Sequence, residues 1–359
     1  MGQFQARIVN TLLVVLAISA FMSIFLLIKS FNRDNHAARC WQMHVLLDNL
    51  HATATAHIWE RGLGAIIIGS KNPDPVTLEE FRHYKLEASA CTEVVQAMLE
   101  KFNFDSVDGF FQGLVADWEN SQSSLALARE RVLKKQITLD EWMSITSTNI
   151  SNELEIGKLA IIPKDGDTQA LFFPEYIRWH STLITDFAGR ERALVGYAIA
   201  SNSPIDKALM KKLISYRGVV DQASTFFSDI KPIPTTPVEL ANAIDVYQKE
   251  FLGEYETLRA RIYDDSNKKH AYFMDAALWF EKSSTAIDSA VGISDAIGDI
   301  SHNIIDDLKV SSEKSLLMNI GLLMFVLGVF FFLFVLINRR VIEPVDTLIR
   351  IMRRGATHN

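Results

Sequence analysis

Apolar residues recur every three or four positions through most of the chain, which is the period of an amphipathic α-helix. The two-residue alternation of a half-buried strand is nearly absent. Two uncharged apolar runs stand out, residues 8–28 and residues 316–337. Each reaches the roughly 20 residues that a helix needs to cross a bilayer. The pattern therefore predicts an all-α protein with two transmembrane helices.

Turn and capping signals divide the intervening residues 29–315 into about eight helices. The first ends near Gly69, and the last runs from about residue 268 into the second apolar run without a strong stop. Thr77, Thr138 and Thr236 each precede a glutamate three residues later, which predicts the start of a helix. The other predicted helices cover 77–102, 106–136, 138–162, 170–200 and 205–229, with a seventh from 236. We expect two four-helix bundles, and a single longer bundle is the alternative.

The flanks of the apolar runs predict the membrane topology. Residues 8–28 fit a cleaved signal peptide poorly, because the run is too long and no small-residue cleavage site follows it. Basic residues, beginning with Arg339 and Arg340, follow the second run and predict a cytoplasmic C-terminus. Two spans then place both termini in the cytoplasm. We therefore expect a bacterial inner-membrane protein with residues 29–315 in the periplasm.

Composition excludes several classes of function. The predicted periplasmic domain is net acidic, which does not suit nucleic acid. Cys40 and Cys91 are too far apart along the predicted hairpin for a disulfide, so both are expected as buried thiols. His51 and His57 are six residues apart and do not have metal-ligand spacing. No nucleophile–base pair or glycine-rich phosphate loop appears, so we expect that the protein is not an enzyme and that it binds no metal or cofactor.

One stretch of the domain occurs twice. Glu60 aligns with Glu191, and the alignment continues without a gap for thirteen further positions, placing Arg61 opposite Arg192. The other identical pairs are Leu63 with Leu194, Ile68 with Ile199, Ser70 with Ser201 and Pro73 with Pro204. Small residues surround both arginines: Gly62, Gly64, Ala193 and Gly196. If the first and fifth helices pack together, the two guanidinium groups converge.

Two like charges facing each other inside a protein require a negative group between them. In one alternative, Glu60 pairs with Arg192 and Glu191 with Arg61, as a reciprocal lock. In the other, both arginines bind a small anion, and the glutamates and small residues support them. Guanidinium offers parallel N–H donors that match a planar oxyanion.

The repeated motif resembles that of a known family. An ERG at residues 60–62, an ERA at 191–193 and eight helices between two spans are similar to the nitrate- and nitrite-sensing (NIT) domain family of bacterial receptors. The resemblance covers roughly residues 45–300, and it departs at Trp59 and at Gly64, where a small hydroxyl residue is expected. It implies that Arg61 and Arg192 hold nitrate or nitrite between helices.

The residues after the second span, 338–359, resemble the opening of a HAMP linker, the relay module of bacterial transmembrane receptors. Ile342-Glu343-Pro344 matches its starting signature, and Pro344 and Leu348 are the expected relay residues. A short basic stop-transfer helix is the alternative. A complete HAMP module needs a second helix, and the kinase, cyclase or methyl-accepting output module is missing through truncation or natural loss.

Together these patterns predict a receptor that senses nitrate or nitrite in the periplasm and relays a helix movement across the membrane to a cytoplasmic output module or partner. HAMP-type relays are parallel dimers, so we expect a homodimer. Two alternatives stay open. One is a helical sensor for an organic ligand or a periplasmic binding protein. The other is a membrane scaffold or adaptor without a small ligand.

Overall fold

The computed structural model describes residues 2–101, 109–160, 169–268 and 271–337, with residues 339, 340, 343, 344 and 347. Within these ranges the chain is helical apart from short turns, and none of the described residues lies in a strand. The predicted all-α class is confirmed. The start of the predicted third helix at 106 and the end of the fourth at 162 lie outside the described residues.

The helices follow the predicted order closely. They are α1 (Gly2–Gly69), α2 (Pro75–Lys101), α3 (Gly109–Leu133), α4 (Leu139–Ala160), α5 (Gln169–Ala200), α6 (Lys207–Ile230), α7 (Val238–Lys249), α8 (Glu256–Asn267) and α9 (Ala276–Ile337). A π-helical turn, Glu250–Tyr255, joins α7 directly to α8. The described ranges therefore contain eight continuous helical segments, and α9 runs unbroken into the second apolar run as expected.

The three predicted capping threonines have different outcomes. Thr138 caps α4, because the backbone N–H of Glu141 donates to its hydroxyl at 3.2 Å. Thr77 is already inside α2, which begins two residues earlier at a proline that tolerates the first turn of a helix. Thr236 also misses the cap: Pro237 occupies that position, and the Thr236 hydroxyl donates to the carbonyl of Ile230 at 2.7 Å.

One compact unit comprises Cys40–Ile304 and contains two apolar clusters. The larger cluster draws side chains from all nine helices and includes Trp142 and Trp279, neither of which is exposed to solvent. The smaller cluster draws only on the first four helices: Leu46, Leu50, Val95, Leu99, Phe111, Trp118 and Ile156. Neither Cys40 nor Cys91 is in a disulfide; Cys40 is buried as expected, whereas Cys91 is only partly buried.

A second unit combines the first 39 residues with the residues from Ile305 onward. Its long helices expose rows of large apolar side chains, for example Phe21 and Phe331, and two helices of the described chain are long and apolar enough to cross a membrane. Polar contacts join these helices where the apolar runs begin or end. The buried Asn319 amide donates to Ser30 Oγ at 2.5 Å, and Ser30 Oγ lies 3.1 Å from Ser315 Oγ.

Candidate anion-binding site

Arg61 on α1 and Arg192 on α5, here called the arginine pair, lie together in the core, and neither is exposed to solvent. Each side chain crosses to the other helix. Arg61 Nη2 donates to the carbonyl of Asp186 at 2.9 Å, and Arg192 Nη2 donates to the carbonyl of Ile58 at 2.9 Å. The two helices bearing the repeated motif therefore pack against each other at the repeated arginines.

Glycines permit this close approach. A Cβ atom on Gly189 would lie 2.5 Å from Ile58 Cγ2, and one on Gly62 would lie 2.8 Å from the ring of Phe280 and 3.2 Å from Arg192 Nε. Contacts this short would force the helices or rings apart. Ala193, which aligns with Gly62, is also fully buried.

The glutamates of the motif do not form the reciprocal lock. Glu60 accepts two hydrogen bonds from Arg129 of α3, both 2.7 Å long. Glu191 accepts from Arg259, at 3.3 Å, and from Tyr263, both on α8. Successive helical residues point about 100° apart, so each glutamate faces away from its neighbouring arginine. The pairing of Glu60 with Arg192 and of Glu191 with Arg61 is therefore wrong, and the arginine pair is left to other partners.

Arg61 has an internal counter-ion. Its Nη1 lies 2.8 Å from Asp186 Oδ1, and it also donates to Ser147 Oγ at 3.1 Å. Arg190 holds the other carboxylate oxygen of Asp186 at 3.0 and 2.7 Å. Burial alone would raise the pKa of Asp186, but Arg61 and Arg190 together bring it below its usual value. Asp186 is therefore an ionised, fully buried carboxylate between two guanidinium groups.

Arg192 has no such partner. It donates to Ser284 Oγ at 2.7 Å and lies between two aromatic rings, with its guanidinium carbon 4.3 Å from the centre of Trp59 and 4.4 Å from that of Phe280. No carboxylate among the described residues forms an ion pair with it. Burial first, and then repulsion by Arg61, lower the pKa of Arg192. The more distant Asp288 offsets only part of this shift, so the groups in direct contact with the Arg192 charge are neutral hydrogen-bond acceptors and ring faces.

The Nε atoms of both arginines are buried and make no hydrogen bond to any described residue. An N–H donor without an acceptor in a low-dielectric interior costs about 1–3 kcal/mol, and more when the group is charged. The arginine pair therefore retains donor capacity and positive charge that an acceptor of negative charge would satisfy.

Two tryptophans hold the backbone at the arginine pair in matching ways. Trp142 of α4 donates from Nε1 to the carbonyl of Arg61 at 2.9 Å, and Trp279 of α9 donates to the carbonyl of Arg192 at 3.0 Å. Five residues after each tryptophan comes the serine that accepts from the same arginine, Ser147 or Ser284. The internal repeat therefore extends beyond the Glu-Arg motif to α4 and α9.

This second repeat was not predicted, although it is visible in the sequence. Residues 142–148 read WMSITST and residues 279–285 read WFEKSST, so both fit tryptophan, three residues, Ser or Thr, Ser, Thr. Asp186, Arg129 and Arg259 were not predicted either. The position in the first repeat that aligns with Asp186 is Thr55, so the counter-ion of Arg61 has no equivalent beside Arg192.

The other predicted site residues have mixed placements. Gly64 faces Trp142, since a Cβ there would lie 2.5 Å from the indole, and Gly196 faces Ile66 at 3.0 Å. Both make room for large side chains instead of exposing backbone at the arginine pair. Pro344 is in a helical segment and is exposed, and Leu348 lies outside the described residues.

Comparisons with known proteins show a shared fold. No family model and no curated protein matches the chain. The solved structure of the NasR transcription antiterminator is similar, with a TM-score of 0.63 over 81% of this chain and 80% of that one. The two sequences are 15% identical, so the likeness is one of fold.

Proposed function

We propose that the protein is a transmembrane receptor that binds a small planar oxyanion, nitrate or nitrite, between Arg61 and Arg192. The observation that carries this proposal is the state of Arg192, a fully buried guanidinium beside a second one, with no carboxylate partner. A buried charge without compensation destabilises a fold by about 3–5 kcal/mol. Natural sequences retain such a group where a ligand supplies the missing charge.

The chemistry of the cluster favours a monovalent, planar ligand. Arg61 and Arg190 share one internal carboxylate, Asp186, and Arg192 forms no ion pair with any described residue. A planar oxyanion can accept from the parallel N–H groups of two guanidinium planes at once. Chloride lacks that oxygen geometry, and phosphate brings more charge and needs more donors. Nitrate and nitrite are weakly hydrated, so moving them into the core costs comparatively little.

The resemblance to the NIT family supports the same assignment, since the two ERG and ERA arginines are the ones the structure brings together. We infer further that the helices of this domain form two four-helix bundles related by the internal repeat, α1–α4 and α5–α9. The apolar cluster shared only by α1, α2, α3 and α4 supports this division. The two matching Trp–Ser pairs, one on α4 and one on α9, support it as well.

A route for the signal follows from which helices touch the arginine pair. Arg61 is on α1 and Arg192 donates to Ser284 on α9, and these two helices also contain the apolar segments. In our proposal, an anion drawn between the arginines shifts α1 against α9. The shift passes through the membrane to Pro344 and Leu348 in a homodimer and reaches a cytoplasmic output module.

Calorimetric titration and thermal-shift measurements with nitrate, on this chain in detergent or nanodiscs, test the proposal. Nitrate and nitrite should each stabilise the wild-type protein more than chloride does. At a ligand concentration of 100 times Kd, the free energy of unfolding should rise by about 2.7 kcal/mol. Arg61→Ala and Arg192→Ala should each lose the response. Arg82→Ala, which removes an exposed arginine of α2, should keep it. Unchanged nitrate affinity in both core variants would overturn the assignment.

A further inference from the structure

A long groove of about 690 Å³ lies within the unit Cys40–Ile304, next to the arginine pair but not lined by it. Its walls come mainly from α1 and α9. On α1 the lining residues run from His44 to Trp59, and on α9 from Asp288 to His302. Fourteen or fifteen helical residues at 1.5 Å each make the groove about 20 Å long. An elongated ligand fits this shape.

The groove is strongly acidic. Its lining contains five carboxylates: Asp48, Glu87, Asp288, Asp295 and Asp299. The single lining arginine, Arg178, is already neutralised, because its Nη1 lies 2.5 Å from Asp48 and 3.7 Å from the buried Glu175. The groove therefore has an excess of negative charge.

The three α9 carboxylates form no ion pair with any described side chain, and they lie in a row. Asp288 and Asp295 are seven residues apart, which is about 10 Å along the helix. Asp295 and Asp299 are four residues apart, which is about 6 Å. The three side chains are exposed to solvent. Partial burial raises the pKa of Asp288 and of Asp295 although Arg192 and Arg178, respectively, oppose the shift, and the neighbouring Asp299 adds to it at Asp295. These carboxylates repel each other without a bound cation.

A buried acceptor lines the same groove. His44 is 2% exposed, and its Nε2 lies 3.3 Å from Asp48 Oδ2, while its Nδ1 has no hydrogen-bond partner in the described part of the chain. Burial lowers the pKa of His44, which keeps the imidazole neutral and its free nitrogen able to accept an N–H. At the other end, the rings of Trp59 and Tyr84 line the groove. Trp59 already contacts the Arg192 guanidinium, so Tyr84 is the ring whose face can attract an organic cation.

A metal ion does not fit this arrangement. Among the residues that the structure describes, no three His, Cys, Asp or Glu side chains come close enough to hold one. Spaced carboxylates, an aromatic ring and a buried N–H acceptor instead match several ammonium groups on a flexible chain. We propose that this groove binds a linear organic polycation of the polyamine class, with its ammonium groups facing Asp288, Asp295 and Asp299.

Calorimetric titration of the full-length protein with spermidine tests this inference, with butylamine and Mg²⁺ as comparison ligands. Spermidine should bind at least ten-fold more tightly than butylamine. The double variant Asp295→Asn/Asp299→Asn, which leaves the neighbours of Arg192 unchanged, should lose at least ten-fold in spermidine affinity. Glu281→Gln, which removes an exposed charge from α9 outside the groove, should bind as wild type does.

Three outcomes would overturn the proposal: no spermidine binding, an equal loss in Glu281→Gln, or Mg²⁺ binding that displaces spermidine at equal concentration. Circular dichroism and melting of each variant establish that it is folded before titration. Nitrate titration of the same samples separates this groove from the arginine pair. The double variant should keep any nitrate response of the wild type, so failure of one proposal leaves the other testable.

Discussion

The two arginines of the repeat occupy equivalent positions but have different electrostatic surroundings. Arg61 has Asp186 as a counter-ion, and Arg192 has two aromatic rings and a serine. Asp186 belongs to α5 and has no counterpart at Thr55 of α1. In the proposed function, an anion at the arginine pair would compete with Asp186 for Arg61 and would meet, at Arg192, a guanidinium without an ion-pair partner among the described residues.

The Asp186→Asn variant should bind nitrate at least ten-fold more tightly than wild type does, a gain of about 1.4 kcal/mol in binding free energy. The substitution removes the carboxylate that competes for Arg61. The ligand-free variant should melt at a lower temperature, because Arg61 and Arg190 both lose their counter-ion. Nitrate titration followed by thermal shift measures both effects. Asp140→Asn, at an exposed position on α4, is the control. Weaker nitrate binding in Asp186→Asn would mean that the carboxylate supports the ligand.

Arg192→Met should abolish nitrate binding without lowering the melting temperature of the ligand-free protein. Replacing a buried charge by an apolar side chain of similar size is often neutral or stabilising by 1–4 kcal/mol. Arg129→Met is the matched comparison, since Arg129 is also buried but neutralises Glu60. That variant should lose roughly 3–5 kcal/mol of unfolding free energy and therefore melt at a much lower temperature. If both variants were equally destabilised, Arg192 would be a structural residue.

The sequence identified Arg61 and Arg192 as a pair, but it did not identify the residues that contact the motif. The repeat identifies Arg61 and Arg192 because it is local and free of gaps. Glu60 and Arg129 are 69 residues apart, and their contact depends on which face of α3 turns toward α1. Only packing decides that. The Trp142 and Trp279 motifs carried a readable signal, since their spacing to Ser147 and Ser284 is identical.

Among the helices, glycine positions set how closely α1 approaches its neighbours. Gly64→Ala should destabilise the protein by about 1–3 kcal/mol, the usual cost of overpacking, although alanine is the better helix former. A Cβ at Gly64 would lie 2.5–2.6 Å from atoms of the Trp142 indole, which is fully buried and holds the Arg61 carbonyl. Thermal unfolding and nitrate titration should both report the change.

Gly218→Ala on α6 is the control for that substitution. Apart from the neighbouring backbone of α6 itself, no atom of the described residues lies within 4 Å of a Cβ at Gly218, so the variant should be as stable as wild type or more stable by up to about 1 kcal/mol. A Gly64→Ala variant that melts like Gly218→Ala would mean that Trp142 moves freely.

Helix number and order were predictable because the apolar period and the proline-rich turns are strong local signals. The residues at which helices begin and end were less predictable. The predicted cap at Thr236 fails because α7 begins one residue later than expected, at Val238, with Pro237 at the cap position, and Thr77 lies within a helix that begins at Pro75. The π-helical turn at Glu250–Tyr255 has no signature in the apolar period, which passes through it unchanged.

For the whole molecule, we expect the unit Cys40–Ile304 outside the cytoplasmic membrane and both termini inside. Single-cysteine variants in a Cys40→Ala/Cys91→Ala background test this topology. A membrane-impermeant maleimide should label Lys207→Cys in intact bacterial cells and Arg339→Cys only after the membrane is opened. Both positions are exposed to solvent. Labelling of Arg339→Cys in intact cells would contradict the topology.

The hydrogen bond from Asn319 to Ser30 limits how these two apolar helices can slide. A displacement by one helical turn, about 5.4 Å, would leave the amide facing hydrocarbon with no acceptor. Ser30 of α1 contacts both Asn319 and Ser315 of α9, so a smaller displacement can break one of these contacts and keep the other. If the two helices slide as the proposed relay requires, these three polar side chains should favour the register seen here over one shifted by a full turn.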